Sequence, residues 1–342
     1  MNVSSANATV DINNRDSFIK AVTKNVIVVV LSICINYINA SLIQTFCKNQ
    51  IFYTNPRYIL FFHLVVNDMM QVTLTVILFI ISYILYKIKV SICCTVILIA
   101  LFTTENTPLN LACMAVECYI AICLPLHHPQ ICTVKRTSIL ISLIWAVSML
   151  SVVPDLFITL ATESLDFFNS QVFCLRETVF RNTHLIKKRD ITYITYLGIV
   201  WFIIFFTYFK IMFTAKTASK DATKARNTIL IHGFQVLLCM ATYAEPLLKN
   251  ALLLWFPMNY SDSLFACYII IQILPRSISP IIYGIRDKTF RKYLKRYLLC
   301  VGRPETKVFY QSPLYILFIH LVIKDMIHVT VTVLCCLSSA TP

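Results

Sequence analysis

Seven apolar runs, separated by short polar or basic stretches, recur along this chain. A helix crossing a bilayer needs about 20 apolar residues. The pattern predicts spans over roughly 25–46, 56–86, 91–124, 137–160, 191–213, 227–256 and 264–285. Pro56 opens the second run, where a first-turn proline loses no hydrogen bond. Pro246 is expected to bend the sixth. Residues 286–300 alternate basic and apolar positions and predict a helix lying on the membrane surface. Residues 1–24 precede the first run as an N-terminal segment, and Met1 to Asn14 within it lacks the apolar core of a signal peptide. The expected fold class is an all-α integral membrane protein, a seven-transmembrane helix bundle with a short amphipathic surface helix, followed by a tail over 301–342.

Composition narrows the class further. Hydrophobic residues make up 58% of the 342 and charged residues only 13%, against about 25% charged in soluble domains. Mean hydropathy is +0.73. Four glycines leave little room for a Gly-rich phosphate loop, and no metalloprotease helix, Walker-type loop or nucleophile elbow occurs. An enzyme is therefore not expected. The net charge of +14 resides in connecting loops, where Lys and Arg set topology and meet anionic lipid, so nucleic acid is not implied. Under this topology the inner segments hold 17 basic residues and the outer ones ten, which puts the C-terminal region inside. The sequons at Asn2, Asn7 and Asn259 agree, placing these positions outside as glycosylation candidates. Most of the 14 cysteines fall within apolar runs, as buried filler does, and no metal-type pair occurs.

Polar residues inside the spans carry the functional information, since ionisable groups at membrane depth are costly. Asn39 lies in the first span and Asp68 half-way along the second. Glu105 and Asn106 sit mid-way along the third, and Glu117 at its foot. The tail holds a different signal. Residues 309–333 repeat residues 52–76, with 16 of 25 positions identical and Asp68 recurring as Asp325. A second copy of one span, without partner helices for its Lys324, Asp325 and His328, reads as a fused remnant of a related coding sequence rather than an eighth span.

Several motifs fall in order and at suitable depths. They are Pro56-Arg57-Tyr58, Leu64-Val65-Val66-Asn67-Asp68, the stretch from Met114 to Leu126 with His127 or His128 after it, Lys224-Ala225 with Thr228 and His232, and Ser279-Pro280-Ile281-Ile282-Tyr283 followed by Arg286-Asp287-Lys288. Over about residues 25–300 the chain resembles the rhodopsin-like G-protein-coupled receptors, and within them the odorant receptors, particularly their fish-type branch.

That resemblance implies a multi-pass plasma-membrane receptor that binds a small-molecule odorant in the outer half of the bundle and signals to a heterotrimeric G protein. It implies a disulfide between Cys93 and Cys174, with Cys94 as a competing neighbour. It makes Cys300 a palmitoylation candidate. It assigns Asn39, Asp68, Ser279 and Pro280 to a polar network able to hold a sodium ion, and Glu117, Cys118, Tyr119, Tyr208 and Tyr283 to the G-protein switch. At Cys118 the family has arginine. Glu117 has thus lost its neighbouring partner, and Lys135, Arg136 and Arg226 are the candidate replacements. For the ligand cavity the candidates are Phe102, Glu105, Asn106, Tyr193, Tyr196, Tyr243 and Glu245. Two carboxylates facing one cavity favour an amine. Two other readings are a non-signalling pseudo-receptor or membrane scaffold, motivated by Cys118, and a secondary transporter, which the absence of two related halves disfavours.

Overall fold

The computed structural model describes residues 17–84, 87–215, 229–230, 233–234, 237, 245–255, 259–277 and 292–293. The first five expected spans are continuous helices, α1 (Phe18–Lys48), α2 (Pro56–Ile84), α3 (Val90–Cys123), α4 (Val134–Thr162) and α5 (Thr183–Ala215). All five are long and apolar enough to cross a membrane. The described parts of the sixth and seventh are α6 (Glu245–Trp255) and α7 (Tyr260–Tyr268), the latter continuing through a π-helical turn at Ile269–Ile273.

Local chemistry sets the helix ends. The Ser17 hydroxyl accepts from the Lys20 N–H at 3.4 Å and starts α1. Asn55 accepts from the Arg57 N–H at 3.0 Å, just ahead of Pro56, and starts α2. Thr133 caps α4 through the Arg136 N–H at 3.3 Å. Asn182 caps α5 through the His184 N–H at 2.9 Å. Two helices start earlier than apolarity suggests. α1 begins at Phe18 rather than near Asn25, and α5 at Thr183 rather than Ile191. Hydropathy marks the part in lipid, whereas capping marks the end of the helix. The extra turns carry lysines that form ion pairs with neighbouring helices, Lys20 and Lys24 with Asp262, and Lys188 with Asp155.

α3 is the central helix and packs against α2, α4 and α5, while α1 covers α2. The inner half of the core gathers Leu42, Phe46, Leu60, Leu64, Leu111, Ala115, Cys118 and Ile211. A second cluster joins Val28, Ile35, Val72 and Val76 to Ile273 of the seventh helix. The aromatic stripe of α5, with Phe202, Phe205, Phe206, Phe209 and Phe213, faces outward, as side chains against lipid do. A lid closes the outer end. β1 (Ile88–Lys89) pairs antiparallel with β2 (Gln171–Val172), and Cys93 is bonded to Cys174 with Cα atoms 5.6 Å apart. Cys94 is buried and outside the disulfide. A bridge closing so long a loop is worth about 2–4 kcal/mol in soluble proteins.

Candidate ligand site and inner switch

Beneath this lid, α3, α4 and α5 bring polar groups together. Glu105 is only 5% exposed. Its carboxylate accepts one hydrogen bond among the described residues, from the Ser151 hydroxyl at 3.1 Å. The Tyr196 hydroxyl donates to the Glu105 backbone carbonyl. Asp155, one turn further out on α4, is buried and holds two cations, Lys188 of α5 and Arg176 of the outer loop, the latter at 3.5 Å. Lys188 also donates to the Ser151 carbonyl at 2.8 Å. Arg176 lies over the Tyr193 ring, 5.4 Å from its centroid, and donates to its hydroxyl. The result is a buried carboxylate flanked by two tyrosines, with the nearby cations engaged by a second acid. A separate small apolar cleft between α6 and α7 is lined by Leu248, Leu252, Leu264, Cys267, Tyr268, Ile271 and Gln272. It offers shape and one amide, not charge.

Deeper in the bundle, Asn106 is fully buried between helices. It accepts from Ser148 at 2.7 Å and donates to the Asn67 side-chain Oδ1 at 3.4 Å, tying α2, α3 and α4. Asn67 in turn donates to the Thr107 hydroxyl at 3.0 Å, and Trp145 donates to His63 at 2.6 Å. Asn39 and Asp68 are both fully buried, and so is Arg276 beyond the π-helical turn. The Tyr268 hydroxyl donates to the Thr75 carbonyl at 3.1 Å, and Ile273 packs with Val72 and Val76. α2 and the seventh helix run antiparallel, so the next turn inward brings Arg276 to the depth of Asp68.

At the inner end, Glu117 is paired twice. Arg57 reaches it from α2 in a bidentate pair, Nε to Oε2 at 2.9 Å and Nη2 to Oε1 at 3.3 Å. His128, from the short helix His128–Ile131, places Nε2 3.1 Å from Oε1. Of the three expected partners, neither described one takes this role. Lys135 is exposed, Arg136 donates instead to the Gln130 carbonyl at 2.8 Å, and Arg226 lies outside the described residues. α2 starts beside the foot of α3, and its second residue points across that seam. Cys118 is buried in the inner core. Tyr119 meets Phe206 edge-on at 5.9 Å, and Tyr208 meets Phe209 at 5.5 Å.

Comparison with known proteins adds the decisive observation. The pattern of the rhodopsin family of seven-transmembrane receptors matches residues 38–283. The chain is 33% identical over 291 residues to Odorant receptor 131-2 of Danio rerio, covering 82% of this chain and 86% of that one. The chain belongs to the rhodopsin family, among its odorant receptors. It is also 24% identical over 232 residues to Adenosine receptor A2b of Homo sapiens, covering 58% and 68% of the two chains. Membership places the receptor in the plasma membrane as a multi-pass protein, with a small-molecule ligand and a G-protein partner, and makes it a receptor rather than an enzyme.

Of the residues expected in the receptor's ligand cavity, Glu105, Tyr193 and Tyr196 are brought together. Phe102 and Asn106 are not with them. Phe102 packs edge-on to Trp145 at 4.8 Å, and Asn106 is held between helices, because both lie on faces of α3 that its neighbours cover. Glu245 is the first residue of α6. Tyr243, Ser279, Pro280, Tyr283, Cys300, Asn2 and Asn7 lie outside the described residues, as do most of the segment expected to form a surface helix and the tail. Asn259 is exposed just before α7. Sequence reasoning missed Arg57, His128, Asp155, Arg176, Lys188 and Arg276 as participants. Arg276 was the most detectable, a lone basic residue in an apolar run. Asp155, an acid within the fourth apolar run, was open to the same reasoning; the other four lie at span ends or between spans, where basic residues are common and the pattern does not single them out.

Proposed function

We propose that the receptor detects a small odorant carrying a cationic amine, bound in the outer half of the bundle beside Glu105, Tyr193 and Tyr196. The observation that carries this reading is the state of Glu105. It is a buried carboxylate with one hydroxyl partner among the described residues, while Arg176 and Lys188 are both engaged by Asp155. A buried charge calls for a counter-charge, and a ligand ammonium supplies one. Glu245 of α6 is the second acid of this reading. Ligand binding then shifts the population of bundle arrangements, and a preference of about 1.4 kcal/mol for the active one changes their ratio tenfold. The test is a second-messenger assay with small amines and their neutral isosteres. Glu105→Gln is expected to lower amine potency at least about tenfold and to spare neutral agonists. Equal potency in the variant contradicts the amine reading.

The extracellular placement of the N-terminus is part of this proposal. The sequons and the basic-residue bias support it, and so does the disulfide at the lid, since such bonds persist in oxidising compartments. The tail beyond residue 300 is proposed to be a fused remnant of no receptor function. Glu117, Cys118, Tyr119, Tyr208 and Tyr283 are proposed to face the G protein. The pseudo-receptor reading rests on Cys118, and a surface-expressed receptor that never signals would favour it.

A sodium ion does not fit the deep network in this proposal. Arg276, fully buried on the turn inward of the contacts between the seventh helix and α2, is proposed as the counter-charge of Asp68 in its place.

A further inference from the structure

Cys118 removes a cation from the foot of α3, yet Glu117 beside it is not left to itself. The acid is about 6% exposed, and Arg57 meets it with two hydrogen bonds in the fork geometry that suits a carboxylate. His128 closes the other side at 3.1 Å. These residues belong to three elements, α2, α3 and the inner-loop helix, so the contact fastens them together where a G protein must approach. Ion pairs that repack when helices shift are an established way of giving a bundle two discrete states.

We propose that Arg57, assisted by His128, is the positioning residue that restrains Glu117 in the resting receptor, and that opening of the inner face breaks this clamp. The restraint comes from α2 rather than from the position next to Glu117. Cys118 therefore costs the receptor its reach toward the G protein but not its resting lock. The proposal rests on the receptor reading above, and its test is built so that the two can fail separately.

Cys118 provides the readout. It is buried in the inner core and in no disulfide. Separation of the helices around it exposes the thiol. Cells displaying the full-length receptor are permeabilised and treated with N-ethylmaleimide, and the alkylation rate of each cysteine peptide is followed by mass spectrometry. Cys113, further up α3, is the internal control. Arg57→Gln is expected to raise the Cys118 rate at least about threefold with the Cys113 rate unchanged. Glu117→Gln is expected to match it, the double variant to add nothing further, and Arg57→Lys, which keeps the charge but not the fork, to restore only part of the protection. An unchanged Cys118 rate in Arg57→Gln overturns the proposal. So does additive behaviour of the two substitutions, and so does equal acceleration at Cys113, which would make Arg57 a general packing residue. If Cys118 behaves as expected but no ligand evokes a second messenger, the clamp stands and the signalling reading fails.

Discussion

At the residue scale, the sequence identifies the right kinds of group and leaves their partners open. Glu117 is conspicuous as an acid at the foot of an apolar run, but Arg57 lies 60 positions away and touches it only because α2 and α3 pack side by side. Nothing in local periodicity encodes that pairing. Arg57 is 41% exposed at its side chain, so this clamp contributes nearer about 1 kcal/mol than the several expected of a dry pair. A modest restraint of this size suits a lock that must open. Asp155 is a different case, because its carboxylate is 6% exposed and holds two cations. Asp155→Asn leaves Arg176 and Lys188 without their acid and is expected to cost about 3 kcal/mol, measurable as a lower melting temperature of the solubilised receptor. Cys118→Arg restores the family's cation and is expected to increase ligand-evoked second messenger about tenfold at equal surface level, the equivalent of about 1.4 kcal/mol.

At the scale of elements, the apolar runs foretold all five long helices, since burial in lipid demands long apolar stretches with internally satisfied backbones. What they could not foretell was how far α1 and α5 continue beyond lipid, because capping and ion pairs decide that. The outer end of α1 is joined to α7 through Lys24 at 2.8 Å and Lys20 at 3.2 Å from Asp262. Hydrogen bonds from Lys24 and then Lys20 hold the Asp262 carboxyl below its ordinary pKa. The stabilisation from a depressed carboxyl is complete above its unfolded pKa of about 4 and is lost as pH falls through the lower folded value. Amide exchange over residues 18–24, compared at matched intrinsic rates, should therefore lose protection below about pH 4. Asp262→Asn should show the lower protection already at neutral pH. On the inner side of α7, Arg276 makes a second expectation concrete. Replacing sodium by choline should leave ligand potency within about twofold, whereas Arg276→Gln should introduce sodium sensitivity by leaving Asp68 to a mobile ion.

At the scale of the whole molecule, an α3-centred bundle with a disulfide-pinned lid accounts for why the polar cluster, mid-way along α3, and the inner clamp at its foot are joined by one helix. Glu105 and Glu117 share α3, so a ligand that moves this helix acts on both. Membrane class and receptor family were legible in composition and the order of motifs, because these are properties of the whole chain. The pairing of Cys93 with Cys174 was legible only by resemblance, since no spacing rule selects it over Cys94. The grouping of α3, α4 and α5 around Glu105 was partly legible, because an intramembrane acid announces itself while the cations that neutralise its neighbour, Lys188 of α5 and Arg176 of the loop, do not. The tail belongs to this scale too. An epitope after Pro342 should be detected only in permeabilised cells, and detection on intact cells would make the copied segment a further span. The most direct test of the central claim is the second-messenger response of cells displaying the receptor to small amines and their neutral isosteres. A receptor of the kind described responds to at least one amine and loses that response selectively in Glu105→Gln. Silence across the panel at verified surface expression, or an amine response that Glu105→Gln leaves unchanged, would contradict it.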